Sequence, residues 1–262
     1  MSPGRPGRPY AVVPHPSPTE GLCVHPRSLA LAAVCGAALL APAALPSASA
    51  EPITPQEPDA APQSVSGRGD VSASALLAAA RGCKQISHGR YRSDDGARAT
   101  VPVCGRRGAV YWKADLDIDC DGRPGRHCNR RTDPLFQNMT AYQQSDGLHL
   151  SAERLPYVVV PGASRIWKPA RSGVRGGTVA ALVHRGKVLY AVVGDTGPSD
   201  LIGEASYAAA RALGIDPDPV RGGTADEVTY ILFPGTTARP IESRTAAATA
   251  GRAAARKFVT AD

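Results

Sequence analysis

The 262-residue chain lacks most of the short signatures that announce a common enzyme class. It has no G-x-S-x-G elbow, and His88, His127, His149 and His184 sit in no matching motif, so serine-based hydrolysis fits poorly. It has no P-loop, no H-E-x-x-H and no C-x-x-C pair, which removes the usual nucleotide and zinc signatures. No repeat of fixed period occurs, so solenoids and propellers are excluded. The 27 Gly and 24 Pro follow no G-X-Y period, which excludes a collagen-like rod and leaves many turns. Long apolar runs are also missing, apart from residues 29–45 (LALAAVCGAALLAPAAL), so a polytopic membrane protein is ruled out.

That one apolar run reads as a processing signal. Arg5, Arg8 and Arg27 precede it, Pro42 interrupts it, and Ser47-Ala48-Ser49-Ala50 closes it with small residues at the A-x-A positions. This predicts a secretory signal peptide over residues 1–50, cleaved after Ala50. A membrane span needs about 20 apolar residues, more than this broken run offers. The expected product is secreted and extracellular, with no membrane attachment. Residues 51–73 are rich in Pro, Ser and acids without apolar periodicity, and read as a flexible linker. The Arg68-Gly69-Asp70 triplet matches an adhesion tripeptide, but a solvated linker accounts for it.

Net charge is +7 for the whole chain. Losing residues 1–50 removes three arginines and one glutamate, and residues 237–262 hold five basic against two acidic side chains. The body between them, 51–236, carries only +2. So weak a surplus leaves no electrostatic footprint for nucleic acid.

Four cysteines survive cleavage, an even number suited to an oxidising compartment. They allow three pairings. Cys83–Cys104 with Cys120–Cys128 is expected, because each pair closes a short loop. No metal site is expected.

From about Ser74 the pattern becomes that of a folded domain, placed at 74–240. SALLAAARGC (74–83) reads as a short helix. Strands are predicted at 109–119, 155–162, 178–184, 187–194 and 227–235, the third and fourth joined by a tight Arg185-Gly186 hairpin. EASYAAARALG (204–214) reads as a helix stopped by Gly214. The basic, Ala-rich tail at 241–262 fits either a helix over 245–258 or a frayed end, since isolated helices of this length are marginal in water. The fold class is therefore α+β and β-rich: one compact domain with a barrel-like sheet and an inserted helix.

Two clusters carry chemistry. In Lys113-Ala-Asp115-Leu-Asp117-Ile-Asp119-Cys-Asp121-Gly122, four aspartates at every second position share one face of an extended strand. Such a row repels itself without a cationic partner. Calcium is one candidate, since D-x-D-x-D-G starts at Asp117. However, the twelfth position of that loop, where a bidentate Glu is needed, is Cys128. A polycationic substrate is another, and a solvated acidic edge that discourages aggregation is a third. The second cluster runs from Gly194-Asp195-Thr196-Gly197 to Gly203-Glu204. Asp195 is expected at a strand end and Glu204 at a helix start, holding two carboxyl groups across a cleft as glycoside hydrolysis requires. Read alone, the same residues also suit a turn aspartate and a first-turn glutamate stabilising the helix dipole.

Taken together, YWKADLDIDCDG (111–122), Cys128, Asp133-Pro134, LPYVVVPG (155–162), VAALVHRGKVLYAVVGDTG (179–197), IGEASYAAARALGI (202–215) and GGTADEVTYILFPG (222–235) resemble the fungal-type chitosanases of glycoside hydrolase family 75. The resemblance spans most of 81–235. It implies endo-hydrolysis of β-1,4-glucosamine linkages with inversion and without a metal or other cofactor. It carries the essential carboxylates over to Asp195 and Glu204, with acid and base roles left open. The substrate is then chitosan, a polyamine. Asp115, Asp117 and Asp119 become candidate subsite residues by charge and spacing, with Tyr111 and Thr196 beside them and Trp112 and Tyr142 as further aromatics. The order of strand, GD…GE loop and helix is also similar to double-psi barrel enzymes. The chain is expected to act as a monomer. Two other readings stay open: a noncatalytic, calcium-dependent carbohydrate or cell-wall module, and a hydrolase acting on peptidoglycan.

Overall fold

The computed structural model describes residues 70–261. The expected signal peptide and nearly all of the expected linker lie outside the described residues. Asp70, last of the Arg-Gly-Asp triplet, is half-buried, and its Oδ1 accepts from Arg252 Nε at 2.7 Å.

Among the described residues a short helix precedes seven strands and two further α-helices: α1 (Ala73–Ala79), β1 (Cys104–Arg106), β2 (Ala109–Asp119), β3 (Tyr157–Pro161), β4 (Thr178–His184), β5 (Lys187–Gly197), β6 (Glu204–Ser206), α2 (Tyr207–Leu213), β7 (Thr224–Thr237) and α3 (Arg244–Thr260). Neighbouring strands run β2-β6-β3-β5-β4-β7, and β7 pairs back with β2, so six strands close a barrel. The β2–β6 and β3–β5 pairs are parallel and the other four are antiparallel, which makes the barrel mixed. Closure leaves these strands no free edge for another chain to join. β1 adds to β2 outside this circuit.

Local chemistry accounts for the connections. Arg107-Gly108 and Arg185-Gly186 both have positive φ (51° and 75°, 44° and 79°), the conformation of a two-residue hairpin turn. The first of these, with β1, is absent from the expected strands.

Alternation along β2 divides its side chains. Val110, Trp112, Ala114 and Leu116 join a buried cluster to which all six barrel strands contribute, including Val158, Leu182, Val193, Ala205 and Tyr230. Tyr111 joins a second cluster with Val159, Ala181, Ile231 and Phe233, over which α1 and α3 pack.

Two elements differ from expectation. Glu204 does not open a helix: Glu204–Ser206 forms β6, in parallel register with Asp117–Asp119. The helix begins one residue after Ser206, whose hydroxyl caps it by accepting from Ala209 N. The stretch at 245–258, open between helix and frayed end, is helical. Ala247, Gly251, Ala254, Ala255 and Phe258 form its buried face. A small-residue face lets the helix approach closely. A Cβ on Gly251 would fall 2.3 Å from the Tyr190 ring. Among the described residues no helix is long and apolar enough to cross a membrane.

Phe258 is 2% exposed and meets Phe233 edge to face at 6.1 Å. Phe258→Ala is expected to cost about 3–5 kcal/mol of stability in urea unfolding. An unchanged midpoint would show that α3 contributes nothing to the folded barrel.

Candidate active site

The acids of both sequence clusters meet over the adjacent strands β2, β6, β3 and β5. Glu204 on β6 lies in register with Asp117 on β2, and Asp117 N donates to Gly203 O at 2.8 Å. The Ser206 hydroxyl, fully buried, accepts from Tyr157 N and donates to Leu155 O, which ties β6 to β3.

Asp195 reaches the same face through a bulge. Val158 pairs with Val193, but Val159 pairs with Asp195, so Gly194 is the extra residue. Simple alternation would send Asp195 to the side of Val193, inside the barrel; the bulge re-aims it. Gly194 must be glycine here, because a Cβ would lie 2.6 Å from the Tyr157 Cβ. Asp195 therefore lies within β5 rather than after it.

Asp195 is 7% exposed, and its Oδ1 accepts two main-chain N–H bonds, from Ala141 and Thr196, each 2.7 Å. Glu204 reaches across β3 toward β5. Its Oε2 would stand 3.2 Å from a Cβ on Gly197, so a larger residue there would crowd the carboxyl. Carboxylate oxygens of Asp119, Asp121 and Asp195 lie within 4.8 Å of one another. Main-chain N–H groups already bind one oxygen of each: Asp121 N on Asp119 and Gln137 N on Asp121, both 2.6 Å.

A second acidic group extends the row. Oxygens of Asp94, Asp115 and Asp117 also lie within 4.8 Å of one another. Asp94 is brought there by its neighbour Arg92, which forms an ion pair with Asp200 and brackets it with main-chain bonds to Asp200 O and from Ile202 N. Among the described residues no lysine or arginine forms an ion pair with Asp115, Asp117, Asp119, Asp121, Asp195 or Glu204.

Burial without a cation raises proton affinity throughout the cluster. Burial, then Asp117 and Asp121, push Glu204 up to about 7. Burial, with Asp117 and Asp94, pushes Asp115 up to about 7. Asp121 rises to about 6, chiefly by burial and against the hydrogen bond from Gln137. Burial drives Asp119 well above the ordinary carboxylate range, with Glu204 and Asp195 adding to it. Asp195 is raised by burial too, but the Ala141 and Thr196 N–H groups pull it back. Glu204 and Asp195 thus differ in their surroundings: Glu204 accepts no hydrogen bond among the described residues and is pushed up to about 7, whereas Asp195 accepts two that offset part of its rise.

The remaining sequence candidates divide. Thr196 is exposed beside Asp195. Tyr111 is not at the site. It is 2% exposed near the opposite end of β2 and its hydroxyl donates to Gly82 O, so its ring offers no face to a sugar. Trp112 is likewise buried, stacked on Tyr230 at 5.3 Å. Tyr142 is half-buried, and the Asp195 charge reaches it. Both expected disulfides are present, with Cα–Cα distances of 5.1 Å for Cys83–Cys104 and 4.9 Å for Cys120–Cys128. Asp94, Ala141 and Tyr157 went unrecognised in the sequence. Asp94 lies outside any motif, Ala141 acts through its main chain, and Tyr157 sits within an apolar strand.

The sequence profile described as fungal chitosanase of glycosyl hydrolase group 75 matches residues 116–259, more than half the chain. The chain belongs to this family. Its relatives include Endo-chitosanase C of Aspergillus oryzae, 31% identical over 167 residues, covering 60% of this chain and 41% of that protein. Endo-chitosanase B of the same species is 33% identical over 145 residues, covering 52% and 59%. An endo-chitosanase of Aspergillus fumigatus is 29% identical over 168 residues, covering 60% and 70%. The chain thus spans about two fifths of the length of the first of these relatives. The family match includes Asp117, Asp119, Asp195 and Glu204, and nearly all of α3.

The shifts fix a sign for stability against pH. Carboxyls whose folded-state proton affinity is raised favour the fold while protonated, and that contribution is lost as pH rises through their folded values. Their ordinary values are 3.8 for Asp and 4.5 for Glu, and Asp115 and Glu204 are held at about 7. The melting temperature is therefore expected to fall as pH rises from about 5 to about 8, and salt is expected to soften the fall. Scanning calorimetry across that range checks it; a flat or rising profile would contradict the buried cluster.

Proposed function

We propose that the chain is a secreted, endo-acting glycoside hydrolase that cleaves β-1,4-glucosamine linkages of chitosan with inversion. The observation that carries this reading is the contrast between Glu204 and Asp195, two carboxyls turned to one face of the barrel: both are raised by burial, but only Asp195 has main-chain N–H donors that draw it back. Family membership and the names of the Aspergillus relatives support the substrate and the endo mode.

Glu204 serves as general acid. Near neutral pH it retains a proton for the glycosidic oxygen. Asp195 serves as general base: its two N–H donors favour the carboxylate form against the burial that raises it, so that it can take a proton from water. That water attacks the anomeric carbon from the face opposite the leaving group as the C–O bond breaks. The step leaves Glu204 ionised and Asp195 protonated, and exchange with solvent restores both. No helix dipole opposes the acid role, because Glu204 belongs to β6.

Asp94, Asp115 and Asp117 supply a track for the ammonium groups of the polymer. Bringing cations to acids that hold protons for want of a partner both ionises them and anchors the chain. A metal-dependent binding module would instead leave the Glu204–Asp195 contrast without a use.

Reducing-end release from soluble chitosan tests the reading, with chitin and peptidoglycan as comparison substrates. Asp195→Asn and Glu204→Gln should each lower kcat by about 10²–10⁴ with melting behaviour retained. Proton NMR should show the inverted anomer first. Near-normal turnover in either variant, or release from peptidoglycan and not from chitosan, would refute it.

A further inference from the structure

Asp119 and Asp121 are the members of the aspartate row that the reaction above does not use, and of the two only Asp119 is buried. It is 5% exposed, whereas Asp117 is exposed and Asp115 half-buried, so it is the least open of the three to an ammonium group on a polymer. Its carboxyl faces charge and polarity from every strand around it. Asp117 and Asp121 flank it in sequence, Glu204 approaches from β6, Asp195 from β5, and the fully buried Tyr157 from β3. Beyond these, Asp133 acts on Glu204, and His149 favours the charged form of Asp195. The Tyr157 hydroxyl donates to the Asp121 carbonyl at 3.0 Å.

Two buried carboxylates this close cannot both be ionised without a cation between them. The hydrogen bonds decide which one yields. Asp195 Oδ1 accepts two main-chain N–H groups, while Asp119 Oδ1 accepts one, from Asp121, and its other partner is the Tyr157 hydroxyl, which is shared with the Asp121 carbonyl. With Oδ1 of Asp195 occupied, Oδ2 is left for a water molecule and for a neighbouring donor. A proton retained on Asp119 supplies the nearest such donor: the two carboxyls have oxygens within 4.8 Å of one another, a span that one bridging water or a small side-chain rotation closes. A neutral Asp119 also spares Glu204 and Asp195 a third negative charge.

We propose that Asp119 is a positioning residue: a buried carboxylic acid that keeps its proton, orients the Asp195 carboxylate by hydrogen bonding, and makes no contact with substrate. This rests on the chitosanase reading for its kinetic consequence, but the protonation of Asp119 stands apart from it.

The test compares D119N, which keeps shape and a donor without charge, with D119L, which keeps bulk alone. On a soluble glucosamine oligomer, D119N should hold kcat within about threefold of wild type with unchanged KM. D119L should lose about 10² in kcat and displace the acid limb of the pH profile. A D119N variant that raises KM tenfold at constant kcat would make Asp119 an ammonium contact and overturn the proposal. So would one that folds and is as inactive as D195N, since Asp119 would then have to ionise.

Infrared difference spectra supply a readout without turnover. Wild type minus D119N at neutral pH should show a protonated carboxyl stretch, and a carboxylate band in its place would overturn the proposal. Should D119N fail to fold, E204Q replaces it: a protonated carboxyl band must persist above the pH at which Glu204 ionises in wild type. Its absence overturns the proposal equally. If wild type releases nothing from chitosan while the Asp119 band is present, the functional reading fails and the protonation assignment survives.

Discussion

Everything at this site follows from one unfavourable arrangement: several carboxyl groups are buried together with no lysine or arginine paired to the inner ones among the described residues. Water cannot solvate them fully, and each raises the proton affinity of the next. The fold tolerates this because most of the barrel is conventional. Its interior is filled by apolar residues from all six strands, and its outer face is covered by α1 and α3. Stability gained there offsets strain in the acid cluster. A polycationic polymer would relieve the same strain on binding, so the feature that costs the free protein stability also favours capture of that ligand.

Position along the backbone sorts these acids into roles. Residues on neighbouring strands share a face only if the register allows it, and here two devices create that register. The parallel β2–β6 pair sets Glu204 beside Asp117. The Gly194 bulge turns Asp195 out of the barrel to join them. Main-chain donors then separate acids that would otherwise behave alike. Ala141 belongs to the segment between the Cys120–Cys128 loop and β3, and it contributes only an N–H group. That segment is held by further local bonds, including Thr140 Oγ1 to Tyr142 O at 2.7 Å and Leu150 N to Thr140 Oγ1 at 3.1 Å. Asp195 is thus shaped by a loop that reaches it through a main-chain N–H group and through the charge of His149.

What could be read from the sequence was what period and local chemistry encode. β2 and β4 fall on the residues their alternation and β-branched content marked, and Gly214 ends α2 in the left-handed conformation expected of it. The disulfides were accessible because short loops limit the choice. Glu204 escaped correct placement because EASYAAARALG carries helix propensity throughout. Nothing within it announces that its first three residues pair with a strand more than eighty positions earlier. Tyr111 misled for a related reason: adjacency to the aspartate row along a strand becomes distance in space, since each residue advances the chain by about 3.3 Å. Asp94 was illegible, because long-range contacts of Arg92 with Asp200 and Ile202 bring its loop to the site.

A net charge of +7 argues by composition against a polycationic ligand, but charge acts locally. Electrostatic influence between exposed groups fades over about 8 Å at physiological ionic strength, so the surplus of distant arginines is largely screened. Some of the basic helix is also engaged within the fold. Arg252 binds Asp70 and lies 6.0 Å over the Tyr190 ring, and Arg256 has partners of its own. The acids are different. Half-buried groups are screened far less than exposed ones, so Asp115 and Glu204 act on anything approaching that face with a field that net charge does not report. A composition-level excess of one sign therefore says little about a site of the other sign once the fold has gathered the minority charge onto adjacent strands.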